Sequence, residues 1–149
     1  MNQCLTNMRV VFSVLSVIIL VACTSNDLAI APAEGILNKP ATGKEDQSVI
    51  YQLTSDESLR IHIKTIEDSR CPADVQCISA GYVKVAFEIE NVGEAELITP
   101  VLPGSNASDT YEFSLGGKNY RLVLEDVIPF PTTKNYLEPR SVEFLLEQS

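Results

Sequence analysis

From residue 47 onward this chain predicts an all-β fold, a two-sheet immunoglobulin-like sandwich of about seven strands. Three observations carry that expectation. Short runs alternate apolar and polar residues with period two. Turn-forming Gly, Pro, Asn and Asp punctuate them about every 8 to 12 residues, the spacing of a sandwich. No long segment has the 3.6-residue period of an amphipathic helix.

The first strand expected is Val49 to Leu53. In the second, Leu59, Ile61 and Ile63 alternate with Arg60, His62 and Lys64, so one face is core and the other a basic solvent face. Tyr82 to Glu90 is the clearest case: Val83, Val85, Phe87 and Ile89 point one way, and Lys84, Glu88 and Glu90 point the other with Ala86. Asn91, Gly93 and Glu94 turn the chain into Ala95 to Val101, which Pro100 and Pro103 mark as an edge or strand end. Tyr111, Phe113 and Leu115 lead into Gly116 and Gly117, a two-residue hairpin signal, and Tyr120, Leu122 and Leu124 resume the pattern. Pro129, Pro131 and Pro139 then forbid continuous pairing until Val142, Phe144 and Leu146 supply the last strand.

The N-terminal third reads differently. Arg9 is the only charge before residue 27, and it precedes an apolar run from Val10 to Ala22 broken only by Ser13 and Ser16. That run is shorter than the roughly 20 residues a membrane-spanning helix needs, and it has no polar face to suit a core helix, so it reads as a cleaved export signal. Leu20, Val21, Ala22 and Cys23 resemble the lipobox at which a bacterial signal peptidase exposes a cysteine for acylation. On that reading residues 1–22 are a lipoprotein signal peptide starting at Met1 or Met8, Cys23 is the lipidation site, and residues 23–46 are a flexible tether. Leu28, Ile30 and Ile36 are the tether residues able to dock on the domain. The resemblance implies a bacterial cell-envelope address, and Thr24, in place of the Asp that retains lipoproteins at the inner membrane, points to the periplasmic face of the outer membrane. The membrane is then a partner through acyl chains on Cys23, several of which anchor stably where one is marginal.

Removal of residues 1–22 leaves 149 minus 22, or 127 residues, with 11 minus 1, or 10, basic against 20 acidic side chains. A formal charge of −10 with no cationic stripe excludes nucleic acid as a partner and disfavours anionic headgroups as a second contact. Loss of Cys4 and acylation of Cys23 leave Cys71 and Cys77, an even pair that in an exported protein reads as a disulfide. Metal capture by Cys71, Cys77 and His62 is the competing reading, with few soft ligands to support it.

Residues 67–81 read Glu-Asp-Ser-Arg-Cys-Pro-Ala-Asp-Val-Gln-Cys-Ile-Ser-Ala-Gly. This stretch resembles a group of uncharacterised bacterial lipoproteins marked by Asp-Ser-Arg-Cys-Pro, four residues, Cys, an aliphatic residue and a Gly three positions on. Asp68 to Pro72, Cys77, Ile78 and Gly81 match that mark, whereas Ser79 stands where the group commonly has Trp. A weaker echo runs from Tyr120 to Pro131. The resemblance implies a fold and no activity.

Asp68, Ser69, Arg70 and Asp74 therefore form a candidate recognition loop. In one reading Asp68 and Ser69 cap a turn and Arg70 pairs with Asp68 or Asp74 to hold the clipped loop on the sheet. In the other the loop is a presented surface, with Arg70 free for a partner's carboxylate. For enzymes the set is poor. His62, the one histidine, sits mid-strand and reads as an exposed polar residue rather than a base for a nucleophile. Glu67, Asp68 and Asp74 lack the alternating oxygen ligands and Gly of a calcium loop, and there is no glycine-rich phosphate loop. No catalytic residue, metal or cofactor is assigned. The expected function is a non-enzymatic, lipid-anchored envelope module that binds an envelope protein partner or supports the envelope; a carboxylate-dependent hydrolase or ligand-binding enzyme at the Cys71 to Cys77 loop is the alternative.

Overall fold

The computed structural model describes residues 32–104 and 108–149, and these form ten strands in two sheets. In chain order the strands are β1 (Ala33–Gly35), β2 (Pro40–Lys44), β3 (Ser48–Gln52), β4 (Ser58–Asp68), β5 (Tyr82–Asn91), β6 (Glu94–Ile98), β7 (Val101–Pro103), β8 (Asp109–Leu115), β9 (Lys118–Ile128) and β10 (Ser141–Gln148). The first sheet runs β1-β3-β4-β5-β6, with β7 continuing the β6 edge along β5; the second runs β2-β10-β9-β8. All pairings are antiparallel except β1 with β3.

The period-two pattern does the folding. Val49, Tyr51, Leu59, Ile61, Ile63, Val83, Val85, Phe87 and Ile89 line the inner face of the first sheet and are fully buried. They pack on Phe113, Tyr120, Leu122, Leu124, Val142, Phe144 and Leu146 of the second. Phe87 and Phe144 meet across the sheets with ring centroids 5.2 Å apart, a tilted pair of the kind aromatic quadrupoles favour. The Gly-Gly hairpin is as expected: Gly116 and Gly117 both have positive φ (60° and 72°), the type I′ geometry whose twist matches the strands. Pro100 falls in the gap between β6 and β7, where it interrupts an edge strand without breaking an interior ladder.

Three expectations need correction. The strand count is ten rather than seven, because β1, β2 and β7 are three to five residues long and carry no alternating apolar pattern. Residues 33–44, expected as tether, belong to the sandwich: β1 pairs along β3, and β2 pairs with β10. Backbone hydrogen bonds, which any sequence can offer, recruit them. Small residues then let them lie close, since Gly43 sits against the Ile63 side chain where a Cβ would be 2.3 Å from Cδ1. Leu37 packs on the core, while Ile36 is exposed and Leu28 and Ile30 lie outside the described residues. The layering is that of a two-sheet sandwich, but β3 to β6 and β8 to β10 are successive meanders rather than the interleaved strand order of immunoglobulin domains.

Two bulges interrupt the ladders. Lys64 is an extra residue in β4 opposite β5, and Glu125 is an extra residue in β9 opposite β10. The second resets the pleat so that Val127 is buried like Leu124, three positions away instead of two. Both bulges lie toward the end of the sandwich where the connections 69–81 and 129–140 meet.

Candidate functional site

The candidate residues gather at that end, which we call the clip end. Cys71 and Cys77 are disulfide-bonded, with Cα atoms 5.9 Å apart. Their sulfurs are bonded to each other, so in this arrangement neither offers a thiolate to a metal, and among the described residues no cluster of three or more His, Cys, Asp and Glu is grouped to hold one. His62 lies six residues back along β4 from Asp68, with Nδ1 3.2 Å from Ser48 Oγ.

Asp68 is the last residue of β4, and its side chain turns inward. One oxygen accepts from Arg70 Nε and the other from Arg70 Nη2, both at 2.9 Å, forming the bidentate fork that guanidinium and carboxylate favour. Arg140, just before β10, donates Nε to the same carboxylate at 3.0 Å. Arg70 also donates to the Val127 carbonyl at 2.6 Å, lies over the Phe130 ring at 4.5 Å, and has Asp126 Oδ1 3.6 Å away at the rim. Arg140 Nη1 donates to the carbonyls of Asn135 and Glu138. The side chains of Arg70, Asp68 and Arg140 are only 3, 7 and 9% exposed. Burial acts to raise the Asp68 carboxyl, but the bonds and charge of Arg70, with a further bond from Arg140, outweigh it and hold the group below the ordinary carboxylate range.

The other motif residues serve the same clasp. Ser69 Oγ and N–H both donate to the Tyr82 carbonyl, and Cys71 N–H donates to Ala80 O, so the loop closes on itself above β4 and β5. Gly81 has φ of +70°, and a Cβ there would lie 2.0 Å from the Ser69 carbonyl oxygen, which is why glycine stands at this position. Across to the second loop, Ala73 N–H donates to Pro131 O. Asp74 accepts from both the N–H and the hydroxyl of Thr133, and these bonds lower its pKa.

Arg70 is not free for a partner's carboxylate, because it is buried and fully engaged within the fold. The charged face of β4 is likewise compensated rather than a basic patch: Arg60 pairs with Glu90 and Lys64 with Glu88 across to β5, as Lys84 of β5 pairs back with Glu67. Beside the clasp lies a shallow hollow of about 190 Å³ lined by Arg70, Leu102, Pro103, Glu125 and Asp126. It is smaller than the usual small-molecule site, and Glu67, Asp68 and Asp74, the carboxylates of the hydrolase alternative, do not line it.

The clasped loops also leave large apolar side chains exposed, among polar neighbours such as Gln76, Ser79, Lys134 and Glu138. Ile78 is fully exposed, Leu137 80%, Tyr136 66% and Val75 48%. Sequence reasoning found Asp68, Arg70 and the cysteines, but not Arg140, Phe130 or Thr133, which lie 59 to 72 residues further along than their partners and carry no local signal. Cys23 and the apolar run before it lie outside the described residues. No family model, curated protein or solved structure matches the chain.

Proposed function

We propose that the protein is a lipid-anchored module of the bacterial cell envelope, tethered through Cys23, whose β-sandwich acts without catalysis by presenting a rigid surface to an envelope protein. One observation carries this reading. The polar side chains that sequence offers for chemistry, Asp68, Ser69, Arg70 and Asp74, are all engaged in clasping two loops together. A reactive carboxylate needs access to substrate and a perturbed proton affinity suited to its task, whereas Asp68 is buried between two guanidinium groups and held ionised. Disulfide, buried ion cluster and paired loops give a small exported domain a fixed surface.

The apolar run ahead of Cys23, the absence of thiols other than the bonded pair after it, and the acidic composition support the address. The test has two arms. Mass spectrometry of the protein from envelopes should show an acylated N-terminal Cys23, and Cys23→Ser should move the protein to the soluble fraction. Cross-linking in intact envelopes followed by pull-down should recover a specific partner. Recovery of none, together with a turnover abolished by a single carboxylate substitution, overturns the non-catalytic reading.

A further inference from the structure

We infer that the clip end of the sandwich rests on the bilayer surface, with Ile78, Tyr136 and Leu137 at the headgroup boundary, so that the domain is held in one orientation and its opposite end faces away from the membrane. This rests on the proposed acylation of Cys23 and adds to it a second, non-covalent contact.

Chain length and direction supply the first argument. Nine residue steps separate Cys23 from Pro32, and a fully extended chain covers at most about 30 Å in that number. Some part of the domain must therefore stay near the membrane. Ala33 is level with Val49, which is level with Ile61, about 20 Å down β4 from Asp68 at roughly 3.3 Å per residue with the bulge discounted. Because β1 is parallel to β3 and β3 is antiparallel to β4, the chain travels through β1 away from the clip end. The direct path from an acylated Cys23 into β1 is from the clip side; reaching the opposite end requires the chain to reverse.

The surface itself supplies the second. Ile78, Leu137, Tyr136 and Val75 project from two loops held together by Ala73 to Pro131, Asp74 to Thr133 and the Asp68 cluster, so their presentation costs little ordering. Tyr at a bilayer boundary keeps its ring among acyl carbons and its hydroxyl in water. The opposite end also exposes apolar residues, Val92 in the turn between Glu90 and Glu94 and Ile36 beyond the far end of β1, but these stand on separate turns that no shared clasp joins.

The chain contains no Trp, so a single introduced Trp reports its own surroundings. The acylated full-length protein carrying Ile78→Trp, Leu137→Trp or Val92→Trp would be reconstituted into vesicles of phosphatidylethanolamine with a minor fraction of phosphatidylglycerol, made with and without brominated acyl chains. Emission of the 78 and 137 variants should shift to the blue and be quenched several-fold more by brominated lipid than that of the 92 variant. Equal quenching at all three sites, or quenching at 92 alone, overturns the orientation while leaving the anchor standing. Mass spectra of the same samples report acylation, and their lack of an acylated Cys23 removes the anchor and this orientation with it.

Discussion

Replacing Asp68 with Asn keeps the shape of the side chain and removes the one negative charge that lies between two buried guanidinium groups. In the native protein the carboxylate accepts two bonds from Arg70 and one from Arg140, and all three side chains are under a tenth exposed. With the charge gone, Arg70 keeps the Val127 carbonyl and the Phe130 ring, but its remaining carboxylate partner is Asp126 at 3.6 Å, half in solvent. Breaking a buried ion pair by deleting one member costs about 3 to 5 kcal/mol, because the other charge stays buried and uncompensated. For a domain of this size each kcal/mol moves the melting temperature by about 3 to 4 °C, so Asp68→Asn should melt about 10 to 20 °C below the wild type in a calorimetric scan at neutral pH. Protonation does by pH what the substitution does by mutation. The folded-state pKa of Asp68 is depressed, so its contribution is complete above the unfolded value near 4 and is lost as pH falls through the lower folded value. The gap between wild type and Asp68→Asn should therefore narrow in acid. A variant that melts within about 3 °C of wild type at neutral pH, or a gap that does not change with pH, refutes the account of this cluster.

Glycine at 81 and glycine at 93 share a positive φ but not the same surroundings. Gly81→Ala should lose about 3 kcal/mol or more in chemical denaturation, since its methyl meets the Ser69 carbonyl, whereas Gly93→Ala, with open space around it, should lose only about 1 kcal/mol. Replacing both Cys71 and Cys77 with Ser should cost about 2 kcal/mol for so short a loop. The loop should nevertheless stay docked through Ala73 and Asp74, and amide exchange of Ala73 should reveal its release only when Asp74→Ala is added. Phe87→Ala should cost about 3 to 5 kcal/mol, as the ring lies wholly inside the core against Phe144, and an unchanged melting temperature would mean the two sheets do not meet there.

Most of the core was legible in the chain because an alternating run carries its own instructions. Tyr82 to Glu90 names its buried face residue by residue, and the Gly116-Gly117 pair names the turn, since both features depend only on neighbours in sequence. Strands β1 and β2 were illegible for the converse reason. Their pairing rests on main-chain groups common to every residue, and whether they join depends on the open edges that β3 and β10 present once folded. The buried position of Val127 depends in turn on the bulge at Glu125, which becomes visible only against β10.

The motif around the cysteines divides in the same way. Sequence alone determined that Asp68, Ser69, Arg70 and the two cysteines stand together in one short stretch, and that this stretch leads from one strand to the next of an all-β domain. Only the tertiary structure decided what they do. Asp68 receives Arg140 from 72 residues away, Arg70 settles over Phe130 and under the Val127 carbonyl, and Asp74 takes the Thr133 hydroxyl. A charge in an isolated loop is free to meet a partner, but once buried it is stable only when opposite charge and hydrogen bonds surround it. Those come from a distant segment that no local pattern announces.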